Sequence, residues 1–210
     1  MTQADRITSD ECVAQAASQL AAMVPEFAKV LPQLSPLPLR LRADGFGALV
    51  DAIIGQQIST AAAAAIVARM KAADLVTPAQ ILAASDEELR AAGQSVQKIK
   101  YLRALAEADL DYKALRQANT AEVLKTLTAL PGIGPWTAEI YAMFSLGHAD
   151  VFPAGDLALQ EAAKLLFDLP ERPKPTAMRQ MAEAWSPFRS VAARLLWAYY
   201  REQKKREGIR

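Results

Sequence analysis

The stretch LPGIGPWTAEIYAMFSLGHADVFPAGD, residues 130–156, decides how this chain is read. Just upstream, Asn119 and Glu122 have the three-residue spacing of a capping box, which predicts a helix running to Ala129. Pro131 ends that helix, because its ring clashes with the preceding turn and brings no N–H. Gly132 and Gly134 permit positive φ, and Pro135 suits the first turn of a second helix. The product is a helix, a tight hairpin and a helix. Successive backbone N–H groups of such a turn, aimed outward at a helix N-terminus, cradle an anion, and a nucleic-acid phosphate is one natural occupant. About one more helix and loop later stands a lone aspartate, Asp156.

Working outward, the same signals recur. Thr77 with Gln80, and Ser85 with Glu88, form capping boxes ahead of short apolar-periodic segments, the first with Pro78 at its opening position. Asp44 is placed to cap a helix in which Phe46, Leu49, Val50, Ile53, Ile54 and Ile58 fall near one face. Ser59 or Thr60 starts an alanine-rich helix to about Lys71, and Gly93 precedes another from about Val96 to Ala108. Residues 11–31 read as one amphipathic helix, with Pro32, Pro36 and Pro38 marking a linker after it. The alternation Leu39-Arg-Leu-Arg42 suits a short extended piece. The run from Pro170 to Pro175 separates the segment bearing Asp156 from later helices, and Ser186-Pro187 opens the last one.

Alanine is abundant and β-branched alternation scarce, so the expected fold is all-α, a cluster of about nine to eleven short helices. The expected organisation is a single domain over residues 1–210, a two-lobed helical bundle with a central lobe at 45–130, a second lobe from 1–44 plus 131–210, and a cleft between them.

Composition closes several doors. Cys12 is the only cysteine and His148 the only histidine, which rules out an intrachain disulfide, a four-cysteine iron–sulfur cluster and a cysteine-rich zinc site, and disfavours a histidine metal centre. Asp5, Asp10 and Glu11 stand where a secretory signal needs a basic segment and an apolar core, and no apolar run approaches the roughly 20 residues of a membrane span. A soluble cytoplasmic location is expected. The balance of 24 Lys+Arg against 23 Asp+Glu neither announces nor forbids nucleic-acid binding, since a few phosphate contacts on one face suffice for an enzyme that must leave each site. The basic ending REQKKREGIR reads as a solvated helix end and tail.

Three separated pieces together carry a family resemblance. Ile54-Gly-Gln-Gln-Ile-Ser59, Leu130-Pro-Gly-Ile-Gly-Pro-Trp-Thr-Ala138 and Asp150-Val-Phe-Pro-Ala-Gly-Asp156 resemble, in order and spacing, the DNA-facing junction, hairpin and catalytic loop of the helix-hairpin-helix DNA glycosylases. The likeness is nearest to the 3-methyladenine DNA glycosylase II branch. Trp185-Ser-Pro-Phe-Arg-Ser190 followed by Leu196-Trp197 is similar to that family's last helix, so the resemblance spans roughly residues 40–200. Bifunctional relatives that also cut the strand carry a lysine just after the glycine segment; here Trp136 stands there, and without an amine no Schiff base forms. Relatives with two adjacent aspartates in the catalytic loop have Gly155 at the first position here, leaving Asp156.

The resemblance implies that Asp156 is the catalytic carboxylate, stabilising a cation-like sugar and directing a water to it. Aspartate after glycine also suits an N-cap, here for a helix from Leu157, and the two roles are compatible. Gln57, with Gln56 beside it, occupies the place of the wedge that fills the gap left by a flipped base; helix-end glutamines bonding local backbone are the alternative. Backbone at Gly132, Ile133 and Gly134 would hold a DNA phosphate, and its carbonyls are a candidate seat for a monovalent cation; no cofactor is implied. The base pocket is assigned to Trp136, Trp197, Tyr141 and Phe46, since a cationic purine stacks well on electron-rich rings. Tyr141, Phe144, Phe167 and Trp185 also read as core aromatics. Asp150 reads as a loop or cap residue, His148 as a surface turn residue or a phosphate contact, and Lys98 and Arg189 as solvated side chains or DNA contacts.

The implied activity is monofunctional excision of alkylated purines, of the 3-methyladenine and 7-methylguanine type, from double-stranded DNA by a monomer, starting base-excision repair. Two other readings stay open on sequence: a glycosylase for a deaminated or oxidised base, and a non-catalytic hairpin module that binds DNA.

Overall fold

The computed structural model describes residues 6–206, and among these the chain is all-α. In chain order the helices are α1 (Asp10–Met23), α2 (Pro25–Leu34), α3 (Phe46–Gly55), α4 (Thr60–Ala72), α5 (Pro78–Ala83), α6 (Asp86–Ala91), α7 (Val96–Glu107), α8 (Tyr112–Gln117), α9 (Thr120–Thr128), α10 (Pro135–Phe144), α11 (Leu157–Leu166), α12 (Pro175–Glu183) and α13 (Arg189–Arg206). The three capping boxes form with both reciprocal hydrogen bonds, at Thr77/Gln80, Ser85/Glu88 and Asn119/Glu122. None of the described helices is long and apolar enough to cross a membrane. The end of the basic tail, residues 207–210, lies outside the described residues.

Two compact units emerge: Arg42–Tyr141, and the described residues up to Leu41 together with those from Ala142 onward. In the first, α7 packs against α3, α5 and α6, burying Ile53, Ile54, Ile81, Leu89, Leu102 and Leu105. The hairpin belongs to this unit, whereas the sequence reading groups it with the chain ends. The reason is tertiary: the hairpin's contacts with α7 and with the end of α3, described below, are long-range in sequence. In the second unit α13 packs on α1, α2 and α11. Phe27, Phe152 and Trp185 are buried there, with Trp185 edge-on to Phe27 and Phe152 at 5.3 and 5.2 Å and stacked on Phe167 at 5.8 Å. Such pairs add to the area they bury.

Several local expectations are corrected. Residues 11–31 form two helices, because Val24 is extended (φ −129°, ψ 104°) and Pro25 opens α2. Pro32 lies within α2 rather than in a linker, near its end, where one helix hydrogen bond is forgone. Leu39–Arg42 makes no strand: Arg40 has φ 54°, and Leu39 spends its carbonyl on the Arg194 guanidinium at 3.0 Å. Asp44 does not cap α3. Gly45, at φ 93°, takes the N-cap position, while the Asp44 carboxylate is engaged by both Nε and Nη2 of Arg116. Ser186 does not cap α13, which starts at Arg189; its hydroxyl donates to Asp150 Oδ2 at 2.9 Å. Asp150 also receives Arg189 Nε at 2.6 Å and Nη2 at 2.8 Å. Burial raises the Asp150 pKa, but these donors outweigh it and hold the carboxyl below its ordinary range.

His148 is buried, 1% exposed, rather than at a surface turn. Its segment pairs with Arg6 in an isolated antiparallel bridge, and its N–H donates to Ala142 O at 2.9 Å. Burial, and secondarily the charge of Arg6, push the imidazole pKa down to about 4. An unfolded histidine titrates near 6.5, so the neutral buried ring contributes stability above that pH, and the contribution shrinks as pH falls toward 4. Urea unfolding at pH 7 and pH 5 should show the wild type losing stability at up to about 1.4 kcal/mol per pH unit from this group, and His148→Gln losing less. Equal slopes would remove His148 from the acid limb.

Candidate active site and nucleic-acid interface

The hairpin is built by one close approach. Gly132 has φ 85°, and a Cβ added there would sit 2.3 Å from the Tyr101 ring on α7. Only glycine fits, on backbone and on space alike. Gly134 differs: it lacks positive φ, and a Cβ would meet nothing within 4 Å. Its smallness leaves the hairpin surface open to an approaching backbone. Ile133 anchors the turn with a buried side chain while its N–H donates to Leu130 O at 3.1 Å, and Gly134 O accepts the first α10 hydrogen bond from Ala138 at 3.1 Å. The Leu130 carbonyl accepts from Ile133 N and the Gly132 carbonyl from Gln56 Nε2.

The junction after α3 lies against this turn. Gln56 Nε2 donates to Gly132 O at 2.8 Å, so Gln56 is a strut between junction and hairpin. Gln57 follows in the left-handed region at φ 60°, with an exposed side chain, and Ser59 caps α4 through Ala62 N at 3.2 Å. Gln56, Gln57, Gly132, Gly134, Trp136 and Tyr101 line one open groove of about 610 Å³. Trp136, 45% exposed, is a large aromatic face on that groove rather than core. Two contributors are not evident from the sequence reading. Tyr101 is the surface on which Gly132 rests, and Lys98 turns inward: its Nζ donates to Ile54 O and, at 3.0 Å, to Gln56 O. Burial lowers the Lys98 pKa. Their spacing on α7, three residues, puts both on one helix face and was the available signal.

Of the other two pocket aromatics in this unit, Tyr141 is 4% exposed and accepts Gly45 N–H on its hydroxyl at 2.9 Å, and Phe46 is half-buried at the start of α3 next to Gly45. The structure brings Tyr141 and Phe46 to the head of α3, with the Tyr141 phenol pKa raised by burial.

Asp156 heads α11 in the second unit. Its Oδ1 accepts Ala158 N at 2.9 Å and Leu159 N at 3.1 Å, the capping geometry expected at Ncap. A third donor, Trp197 Nε1 from α13, reaches the same oxygen at 3.3 Å. The Trp197 indole stacks on buried Phe144 (5.8 Å, 30°), and the Phe144 ring carries the buried Arg194 guanidinium 4.9 Å from its centroid. Asp156 is half-buried and oriented by two backbone amides and an indole, at the helix end where negative charge is favoured. Arg189 is bound to Asp150 and Lys98 to the junction, so neither extends as a solvated charge.

Residues 50–187 match the family described as HhH-GPD superfamily base excision DNA repair protein. The chain belongs to that superfamily. It is 34% identical over 158 residues to DNA-3-methyladenine glycosylase 1 of Schizosaccharomyces pombe, covering 71% of this chain and 69% of that one. Among solved structures, it is similar to a DNA-3-methyladenine glycosidase from Bacillus halodurans, with a TM-score of 0.77, 34% identity and coverage of 90% of this chain and 91% of that one. It is likewise similar to the S. pombe 3-methyladenine DNA glycosylase in complex with abasic DNA, with a TM-score of 0.75, 29% identity and coverage of 91% and 97%. In this HhH-GPD chain the motif glycines thus have separate duties, Gly132 steric and Gly134 an open surface.

Those duties predict unequal costs. Gly132→Ala strains a positive-φ backbone and drives a methyl into Tyr101, so it should destabilise by roughly 2–4 kcal/mol and weaken DNA binding. Gly134→Ala should leave the melting temperature nearly unchanged and affect only DNA affinity. Thermal melts and DNA titrations of both variants check this, and comparable destabilisation by the two would contradict it.

Proposed function

We propose that this protein is a monofunctional DNA-3-methyladenine glycosylase, acting as a monomer on double-stranded DNA, which turns an alkylated purine out of the helix and hydrolyses its bond to the sugar. The observation that carries the reading is Asp156: a carboxylate held at a helix N-terminus by Ala158, Leu159 and Trp197, in a chain similar to glycosylases named for 3-methyladenine.

Alkylation at N3 or N7 makes the purine a cation. As the C1′–N bond breaks, its electron pair leaves with the base and cancels that charge, so no general acid is needed. The sugar takes on oxocarbenium character, which a nearby carboxylate stabilises. Water then bonds to C1′ through its oxygen, and its proton passes to Asp156 and on to solvent. The products are a free base and an abasic site. Gln57 is the side chain assigned to the gap in the duplex, the hairpin amides to the phosphate, and Trp197, which donates to Asp156, to the flipped base. No amine stands at the Trp136 position, so the strand stays intact.

Asp156→Asn should lower single-turnover base release by roughly 10²–10³-fold while DNA affinity stays within about threefold. Borohydride added during turnover should trap no covalent protein–DNA species. Release at the wild-type rate from the asparagine variant would remove Asp156 from the chemistry, and a robust adduct would overturn the monofunctional reading. DNA binding without release of any base by the wild type would support a non-catalytic module.

A further inference from the structure

We propose that Lys98 is a positioning residue for the DNA wedge: it holds the turn that carries Gln57 in the conformation needed to enter the duplex. The proposal rests on the glycosylase reading above for the wedge itself, and on the junction's geometry for the role of Lys98.

The turn between α3 and α4 is strained and its tip is exposed. Gln57 has φ 60°, a left-handed conformation that costs a side-chain-bearing residue free energy and persists only where neighbouring contacts enforce it. Two contacts do so here. From below, the Lys98 ammonium donates to the carbonyls of Ile54 and Gln56, on either side of the last helical residue, Gly55, closing the C-terminal end of α3 where carbonyls have no helical partner. From the side, the Gln56 amide donates to Gly132 O, tying the same residue to the hairpin. Gln56 is therefore gripped by its carbonyl and by its side chain, and Gln57, the next residue, inherits a fixed direction relative to the phosphate-binding turn. Lys98 is half-buried and commits two of its three N–H donors to this support, which separates it from a lysine that meets DNA phosphate directly.

The role predicts coupling. If Lys98 acts through Gln57, removing the ammonium costs something only while Gln57 is there to be aimed. The test is a double-mutant cycle with Lys98→Met, Gln57→Ala and the double variant. It has two readouts: single-turnover base release from a methylated duplex with protein in excess, and fluorescence of a 2-aminopurine beside the lesion, which rises on unstacking whether or not chemistry follows. Lys98→Met and Gln57→Ala should each reduce both signals by roughly tenfold, and the double variant should be no worse than Gln57→Ala. Lys98→Arg, which keeps charged donors, should stay within about threefold of wild type, and serves if the methionine variant does not fold. The dependence of DNA affinity on salt should keep its slope in Lys98→Met, whereas loss of a phosphate contact would reduce it by about one.

Equal fold-losses from Lys98→Met with and without Gln57, a reduced salt slope, or an arginine variant as defective as methionine would each overturn the proposal. A wild type that raises the 2-aminopurine signal but releases no base would overturn the glycosylase reading and leave Lys98 supported by the fluorescence cycle. A wild type that does neither would overturn both.

Discussion

The approach of Gly132 to the Tyr101 ring is the constraint on which the DNA-facing part of this structure depends. It sets the hairpin directly on α7, and that placement brings the Gly132 carbonyl within 2.8 Å of the Gln56 amide. One side-chain hydrogen bond then joins two segments 76 residues apart in sequence, the hairpin and the turn bearing Gln57. A bulkier residue at 132 would displace the hairpin from α7, and the Gln56–Gly132 support of the junction would go with it. Thus a single glycine links local turn chemistry to the geometry of a candidate nucleic-acid surface.

A different device orders the carboxylate. The Oδ1 of Asp156 takes two backbone N–H groups and an indole N–H, all neutral donors. These neutral donors orient the oxygen they reach without bringing a positive charge of their own. Asp150, six residues earlier, shows the contrast. Its carboxylate is bound bidentately by Arg189 and again by Ser186, so its charge is spent on holding the loop to the start of α13.

Most of what local chemistry controls was legible in the sequence. The three capping boxes and the Asp156 cap depend on residues within three or four positions of one another, so spacing alone reveals them, and Pro131, Gly132 and Pro135 mark the hairpin turn that Tyr101 then fixes in place. What was not legible depends on partners far along the chain. Asp44 has the form of a cap, but Arg116, 72 residues away, takes its carboxylate. Lys98 looks like a solvated helix lysine until the end of α3 arrives above it, 44 residues distant in sequence. His148 follows a glycine like a turn residue, yet its burial beside the Arg6 bridge is set by the start of the chain. Two helices in place of one over residues 11–31 needed no distant partner: Pro25, at the first position of α2, marks the break locally.

The most direct test of base excision without strand cleavage is chromatography of what the wild-type protein releases from methylated duplex DNA, with the strand analysed in parallel. Free 3-methyladenine and 7-methylguanine are expected in the soluble fraction, with a strand that stays full-length until alkali cleaves it at abasic sites. DNA bound with no alkylated base released, or a strand nicked without alkali treatment, would contradict it.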